Sequence, residues 1–302
     1  MNNKFPLVSV VMNCYNGDKY LAKAIDSIYE QSYSNWEIIF WDNASTDESS
    51  YIARSYDQRL RYFLAEKTTP LGEARNLAVQ KASGKYVAFL DCDDMYLPDK
   101  LKHQVSVMEL EKCSLSYGSA IIINEFDEHI GDNKVKEKSG NLLKHLLLNY
   151  EINMQSVMLR KSVIKKENLI FDDRLKFSPD YDLFMRFSIN EKISSISNYL
   201  VKYRKTSGSL TNRSLEIIGS EVEITLNKIK NDKNFPDNLR EDLDKAFNIA
   251  NFYKCLPYIN KGDYKTARYF ALKGAVAKKK ILIFYLLLWL PVNRNWLIKL
   301  II

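Results

Sequence analysis

The segment Asp91-Cys92-Asp93-Asp94 holds the densest group of side chains that could do chemistry in this 302-residue sequence. It follows the apolar run Tyr86–Leu90, so its carboxylates cannot all point into a core. In a turn they can face one cation together, and Mg²⁺ and Mn²⁺ prefer oxygen ligands, often one or two carboxylates completed by phosphates. The competing interpretation is an ordinary aspartate turn before the helix that starts at Pro98.

Two more polar side chains stand where predicted elements begin or end. Arg75 lies in the first turns of a helix, and a guanidinium near a helix N-terminus suits a diphosphate. The alternative for Arg75 is a surface ion pair with a neighbouring glutamate. Asp42 ends the apolar run Trp36–Trp41, where its carboxylate could accept the imide N–H of uracil or simply cap the following turn.

The elements that must position these groups alternate between two periods over the first 125 residues. Apolar runs predict strands at Leu7–Asn13, Trp36–Trp41, Leu60–Leu64 and Tyr86–Leu90, and helical spacing predicts helices at Asp18–Gln31, from Thr46, at Gly72–Ala82 and from Pro98. Such alternation with short connections predicts an α/β fold with βαβ units and a mostly parallel sheet. Because ligands bind beyond the carboxyl ends of parallel strands, the polar clusters at three strand ends indicate one shared site.

Beyond residue 114 the pattern becomes less regular and then all-helical. It predicts strands near Leu115–Asn124, Gln155–Leu159 and Tyr199–Tyr203, a helix near Leu142–Leu148, and a further helix whose start carries Asp180 and Asp182. We place a domain boundary near residue 214. The prediction is a catalytic-type domain over 1–214, a helical domain over 215–277 and a separate tail over 278–302.

The tail is apolar and basic. The formal net charge of the chain is +7, yet eight Lys or Arg and no acid follow Asp263, so residues 1–263 carry −1. This distribution argues against a nucleic-acid-binding body. The ten apolar residues Ile281–Leu290 are too few to cross a bilayer, but with flanking lysines, Trp289 and Trp296 they suit a membrane interface. The alternative is a pair of core helices.

Cysteine usage and the N-terminus predict a cytoplasmic protein, placed by its tail on the inner face of the cell membrane. Four scattered cysteines without a C-x-x-C pair are typical of free thiols in a reducing compartment. Three histidines lack zinc-ligand spacing. The first apolar run ends at Asn13 without a cleavage-like site, so it is not a signal peptide.

Four ordered blocks of the sequence resemble the family 2 glycosyltransferases. They are V-S-V-V-M-N-C-Y-N from Val8, W-E-I-I-F-W-D-N-A-S-T-D from Trp36, L-G-E-A-R-N-L-A from Leu71 and Y-V-A-F-L-D-C-D-D-M-Y-L-P-D-K-L from Tyr86. The resemblance covers about residues 5–210. It departs from the family pattern at Asn13, where Pro is common, and at Asn43, where Asp is common.

The resemblance implies a GT-A fold and a role for each matching residue. Tyr15 and Asp42 would hold the base, and Arg75 the phosphates. In the Asp91-Cys92-Asp93 segment, which would bind the nucleotide-sugar, Asp91 would meet the ribose and sugar and Asp93 would ligate Mn²⁺ or Mg²⁺. Asp180 would be the catalytic base, with Asp182 as the alternative because Pro179 replaces the usual Glu. Arg204 or Lys205, in a loop over Tyr203–Thr211, would add positive charge near the diphosphate.

Taken together, these features and the resemblance predict an inverting, metal-dependent enzyme that transfers one sugar from a nucleotide-sugar. The favoured donor is a UDP-sugar. The basic apolar tail favours a polyprenyl-diphosphate-linked saccharide as acceptor, in capsule or O-antigen assembly. One alternative is a nucleotidyltransferase, although Asn13–Lys19 offers little of the Gly- and Lys-rich loop it needs. The other is an inert assembly partner that uses the helical region, against which the intact carboxylates argue.

Overall fold

The computed structural model of the chain describes residues 5–166, 170–206, 216–275, 279–290 and 297. The strands are β1 Val8–Cys14, β2 Trp36–Asp42, β3 Leu60–Leu64, β4 Tyr86–Phe89, β5 Met95–Tyr96, β6 Leu115–Ile123, β7 His129–Asn133, β8 Lys138–Gly140, β9 Met158–Arg160 and β10 Ile193–Arg204. The helices are α1 Asp18–Tyr29, α2 Ser49–Arg54, α3 Leu71–Lys81, α4 Lys100–Glu111, α5 Leu143–Leu148, α6 Lys161–Lys166, α7 Pro179–Asn190, α8 Ile218–Lys230, α9 Arg240–Tyr253, α10 Leu256–Lys261, α11 Tyr264–Ala275 and α12 Lys279–Leu287.

These strands form one mixed sheet in the order β3-β2-β1-β4-β9-β6-β10-β5, with β7 beside β6 and β8 beside β10. β1 pairs in parallel with β2 and β4, and β2 with β3. The short strand β9 is antiparallel to both β4 and β6, and β10 is parallel to β6. Six strands therefore point the same way, which confirms the predicted α/β fold with a mostly parallel sheet.

Alternating side chains explain how the sheet is covered. Val8, Val10 and Met12 on β1 pack with Ile38 and Phe40 of β2 and with α1 in one core cluster. The register of β1 with β2 puts Val11 beside Ile39 and Asn13 beside Trp41 on the opposite face. Because both faces of the sheet are buried, the sequences of these strands are continuous apolar runs and do not alternate between apolar and polar residues.

By internal contacts the chain divides into two units. The first comprises residues 1–142, 151–183 and 190–206, and contains the sheet. The second comprises residues 143–150, 184–189 and 207–302, and its core joins Phe252, Cys255 and Ile259 to residues of α11 and α12. The predicted boundary at 214 and most of the predicted loop Tyr203–Thr211 lie outside the described residues, so the three-part division stays a prediction.

Two other expectations concern the cysteines and the tail. Cys14, Cys92, Cys113 and Cys255 are all buried free thiols, as the sequence predicts. Within the described ranges, no helix is long and apolar enough to cross a membrane.

Candidate functional site

Asp91, directly beyond β4, is held by two side chains. Arg75 Nη2 donates to its carboxylate at 3.1 Å and 3.4 Å. Gln155 Nε2 donates to Oδ2 at 2.5 Å, and Gln155 Oε1 accepts the Asp91 backbone N–H at 3.1 Å. The Asp91 side chain keeps 34% of its surface exposed, whereas the Arg75 side chain keeps 6%. The carboxylate is thus fixed in orientation but open on one side.

Helix α3 carries Arg75 to this position through three local contacts. Asn43, just after β2, accepts the N–H of Thr69 and donates to its carbonyl, which fixes the loop before α3. The side-chain amide of Asn76 makes a similar pair of hydrogen bonds with the backbone of Phe171. It donates to the Phe171 carbonyl and accepts the Phe171 N–H, both at 2.9 Å. Gly72 lets α3 approach that segment, because a Cβ there would lie 3.1 Å from the carbonyl oxygen of Asp172.

The two acids that follow Asp91 lie in different environments. Burial and the negative charge of Asp91 raise the pKa of Asp93 to about 6. Asp94 is fully buried, which raises its pKa further, and it accepts the backbone N–H of Arg204 at 2.6 Å. Asp94 therefore stabilises the turn from inside the protein through this hydrogen bond. Asp93 is the carboxylate whose charged form a bound cation would stabilise.

The donor set fits a divalent cation shared with a ligand. Among the residues that the structure describes, no group of three or more His, Cys, Asp or Glu could hold a metal ion on its own. Mg²⁺ and Mn²⁺ sites often use one or two carboxylates and take the remaining oxygens from substrate phosphates. Asp93, with Asp91 beside it, meets that requirement.

Arg204, at the end of β10, lies inside the protein. Its Nε donates to the carbonyl of Asp93 at 2.8 Å and its Nη1 to that of Asn124 at 2.9 Å. Its Nη2 lies 2.6 Å from Asp127 Oδ1, and its guanidinium stacks 4.2 Å from the ring centre of Tyr20. Arg204 thus ties the acidic turn to the 124–127 turn, and the neighbouring Lys205 is the exposed cation of the pair.

Tyr15 and Asp42 lie at the ends of β1 and β2. Tyr15 is 56% exposed and offers an open ring face. Asp42 is fully buried, and its Oδ1 accepts the Ser45 N–H at 2.7 Å while its Oδ2 accepts the Tyr62 hydroxyl at 2.5 Å. Each carboxylate oxygen has a second lone pair, but no part of Asp42 is exposed, so a base can reach it only when the residues around it move.

Cys92 lies against Cys14 beneath this edge of the sheet. Its thiol donates to the carbonyl of Asn13 at 3.3 Å. The hydrogen bond with the Cys14 thiol, together with burial, holds the pKa of Cys92 well above its ordinary value. Cys92 is therefore a packing residue within the acidic turn, and its neighbours are the groups that face outward.

The two acids at the start of α7 differ in access. Asp182 is fully buried, whereas Asp180 is partly exposed. Burial raises the pKa of Asp180 and the charge of Asp91 adds to this, while the Arg75 guanidinium opposes both. A raised pKa on a reachable carboxylate is the property expected of a general base.

The comparison with known families settles what kind of protein carries this site. The model of the family described as Glycosyl transferase family 2 matches residues 9–166, more than half of the chain. The chain is a family 2 glycosyltransferase. It therefore acts on nucleotide-sugars. The matched residues contain the strand ends of β1, β2 and β4 and helix α3, but neither Asp180 nor the Arg204-Lys205 pair.

Similar proteins agree with this assignment. The chain is 29% identical to UDP-Glc:alpha-D-GlcNAc-diphosphoundecaprenol beta-1,3-glucosyltransferase WfgD of Escherichia coli. The alignment covers 74% of this chain and 89% of WfgD. Its fold is similar to that of S. aureus TarS 1-349 in complex with UDP-GlcNAc, with a TM-score of 0.67 and 17% identity over 89% of this chain and 91% of that one. It is also similar to the mannosyltransferase PcManGT from Pyrobaculum calidifontis in complex with GDP-Man and Mn²⁺, with a TM-score of 0.62 and 15% identity over 98% and 86%. These structures show the GT-A fold.

Gln155 is the residue of this glycosyltransferase site that sequence reasoning missed. The apolar pattern predicts a strand from Gln155 to Leu159, but the chain first forms a 3-10 helix, Met154–Ser156, and β9 begins only at Met158. The one available signal was Asn153, a residue type that caps helices and whose Oδ1 accepts the Gln155 N–H.

Proposed function

We propose that the protein transfers one sugar from a UDP-sugar to a hydroxyl of a lipid-linked saccharide, with inversion at the anomeric carbon and with a divalent cation. The observation that carries the proposal is the convergence of Arg75, Asp91 and Asp93 at the carboxyl edge of the sheet, with Asp180 near enough for Arg75 and Asp91 to act on its pKa. Family membership supplies the reaction class.

In this proposal each group of the donor meets a side chain of suitable chemistry. The exposed ring of Tyr15 stacks on the base. Asp42 accepts the imide N–H of uracil once the residues that bury its carboxylate have moved aside. The Asp91 carboxylate accepts hydrogen bonds from hydroxyl groups of the ribose or of the donor sugar. Lys205, which is exposed, adds positive charge near the diphosphate, and Arg204 supports the acidic turn from within.

Asp93 would hold the cation, Mn²⁺ or Mg²⁺, together with diphosphate oxygens of the donor. When bound, the cation neutralises the charge that develops on the departing nucleoside diphosphate. Asp180 takes the proton of the acceptor hydroxyl as that oxygen attacks the anomeric carbon from the side opposite the diphosphate. One base and one displacement invert the anomeric configuration.

The acceptor proposal rests on the second unit. Along α12 and the turn that follows it, Ile281, Phe284 and Leu288 are buried in the core of that unit. Five other apolar residues of the same segment form an outward stripe, each 45–59% exposed: Leu282, Ile283, Leu286, Trp289 and Leu290. Lys280 and Lys273 are exposed nearby. An apolar stripe beside cations suits an anionic bilayer surface, where a polyprenyl-diphosphate-linked saccharide is anchored. We therefore propose a peripheral location on the cytoplasmic membrane face.

The test of donor and cation is a thermal-shift series of the purified protein with UDP, GDP and CMP, each with Mn²⁺ and with EDTA. We expect the melting temperature to rise with UDP in a Mn²⁺-dependent way and to rise less with the other nucleotides. A folded sample that responds to none of them would refute the proposal.

A further inference from the structure

The amide of Gln155 bonds the backbone and the carboxylate of one residue, Asp91. We propose that Gln155 is a positioning residue for donor binding, which fixes the Asp91 carboxylate toward the nucleotide-sugar. This inference rests on the proposed function, since it assumes that Asp91 contacts the donor.

The chemistry of the two bonds requires an amide. Gln155 Oε1 accepts the Asp91 N–H at 3.1 Å, while Gln155 Nε2 donates to Asp91 Oδ2 at 2.5 Å. A side chain here must therefore accept with one atom and donate with the other, and only one amide orientation satisfies both partners. An ionised glutamate of the same shape can only accept, so it would oppose the carboxylate of Asp91.

The support for Gln155 is itself rigid. Gln155 is only 3% exposed and lies in the 3-10 helix Met154–Ser156. Asn153 caps that helix by accepting the Gln155 N–H at 3.0 Å, and its carbonyl accepts the Ser156 hydroxyl at 2.8 Å. The amide therefore lies on a fixed backbone and does not reach solvent.

Gln155 donates to Oδ2 of Asp91 and Arg75 to both oxygens, and the Asp91 side chain still has 34% of its surface exposed to a donor. Without the amide, Arg75 alone would hold the carboxylate, and from one side. We expect the donor to lose affinity, because a group that must be ordered on binding costs free energy that a preorganised group does not.

The test is the affinity for UDP with saturating Mn²⁺, measured by calorimetry between pH 5 and pH 8, in wild-type protein and in the variants Gln155→Glu and Gln155→Leu. Each dissociation constant is divided by the wild-type value at the same pH, so that titration of Asp93 and Asp180 largely cancels. Gln31→Glu is the matched control: Gln31 is also buried, but its Nε2 donates to the Ser27 and Leu97 carbonyls and not to Asp91 or to the 3-10 helix.

Burial beside Asp91 will raise the pKa of the glutamate introduced by Gln155→Glu, so at pH 5 its carboxyl group is protonated and can still donate to Asp91. We expect Gln155→Glu to bind nearly as wild type at pH 5 and roughly tenfold or more weakly at pH 8. Gln155→Leu should bind UDP weakly at every pH, and the ratio for Gln31→Glu should not change with pH.

A Gln155→Leu protein that is folded and binds UDP like wild type would overturn the positioning role, as would a Gln155→Glu protein that, relative to wild type, binds UDP more tightly at pH 8 than at pH 5. Thermal melts of all variants at both pH values show whether each is folded. Wild-type protein that binds no UDP at any pH would refute the proposed function itself, together with the site that Gln155 serves.

Discussion

Asp93 lowers the stability of the metal-free protein, and in the proposed function it binds the cation. Its pKa is raised to about 6, so the folded protein holds its proton more tightly than the unfolded chain does. Stability then falls as the pH rises from about 4 to 6, and above pH 6 the folded protein keeps a poorly solvated charge. A residue that destabilises the metal-free fold in this way is expected at a site built for a cation.

We predict that Asp93→Asn stabilises the metal-free protein and abolishes its Mn²⁺-dependent binding of UDP. In EDTA at pH 7 the melting temperature should rise by a few degrees, because the buried charge is gone. The gain should shrink as the pH falls and vanish below about pH 3, where Asp93 is protonated in both states. Melting curves at both pH values and a UDP titration provide the check. A variant that still shows the full Mn²⁺-dependent shift would contradict the role of Asp93.

Asp180→Asn separates catalysis from donor binding. The amide keeps the shape of the side chain but cannot take a proton, so turnover should fall by roughly 10²–10⁴-fold. The dissociation constant for UDP should change little, since the acceptor hydroxyl and not the nucleotide is the partner of Asp180. Asp182→Asn is the comparison for the alternative base. Equal losses of turnover and of UDP affinity in Asp180→Asn would exclude it as the base.

At the scale of elements, Gly84 joins α3 to β4 where no side chain fits. A Cβ there would lie 2.7 Å from the carbonyl oxygen of Leu7 and from the amide nitrogen of Ser9, both backbone atoms of the neighbouring segment. The Gly84 N–H also donates to the Ser9 hydroxyl at 2.8 Å. The spacing of β1 and β4, which carry two of the polar strand ends, therefore depends on this glycine.

We predict that Gly84→Ala lowers the free energy of unfolding by about 1–3 kcal/mol, because the backbone must shift to admit the methyl group. Gly131→Ala in the exposed strand β7 is the control, since its nearest neighbour would be Ile122 Cδ1 at 3.9 Å. That change should stay within about 0.5 kcal/mol. Urea denaturation of both variants measures the difference, and equal values would refute the packing argument.

The sequence predicted the elements of the first half well because strong local signals agree there. Buried apolar runs ended by polar clusters located β1, β2 and β4 to within about one residue. The sequence did not predict the short strands β7 and β8 or the 3-10 helix before β9, because elements of so few residues show no clear hydrophobic periodicity. β10 proved longer than the predicted Tyr199–Tyr203 and extends from Ile193 to Arg204.

The site was predictable where residue type alone indicates chemistry and not where a long-range contact decides it. The acidic turn and Arg75 could be named from sequence, but Gln155 is 64 positions from Asp91 and has no motif of its own. Arg204 shows the same limit. The sequence places a cation at the start of a loop, whereas the structure shows its bonds to the Asp93 and Asn124 carbonyls.

At the scale of the whole molecule, the acidic turn and the exposed apolar stripe belong to different units. The acidic turn and its neighbours lie in the first unit, and the exposed stripe of Leu282, Ile283, Leu286, Trp289 and Leu290 lies in the second. Arg268 stabilises the end of that stripe by donating to the Leu288 carbonyl and stacking on Trp289 at 4.0 Å. The stripe is thus part of a folded helix pair.

We predict that the double variant Ile283→Glu, Leu286→Glu binds vesicles containing anionic lipid at least about tenfold more weakly than wild type, since it replaces apolar contact with the bilayer by negative charge. Co-sedimentation with phosphatidylglycerol vesicles measures this. Leu110→Glu is the matched control, because Leu110 is 79% exposed but lies on α4 in the other unit. Equal binding by all three proteins would refute the membrane surface.

The proposed reaction is a single displacement in which Asp180 activates the acceptor and the anomeric centre inverts. Proton NMR of the first product formed from α-linked UDP-sugars, with Mn²⁺ and a lipid-linked saccharide acceptor, tests it most directly. We expect a new β-glycosidic bond, formed by wild-type protein and not by Asp180→Asn. An α-linked product would contradict the single displacement.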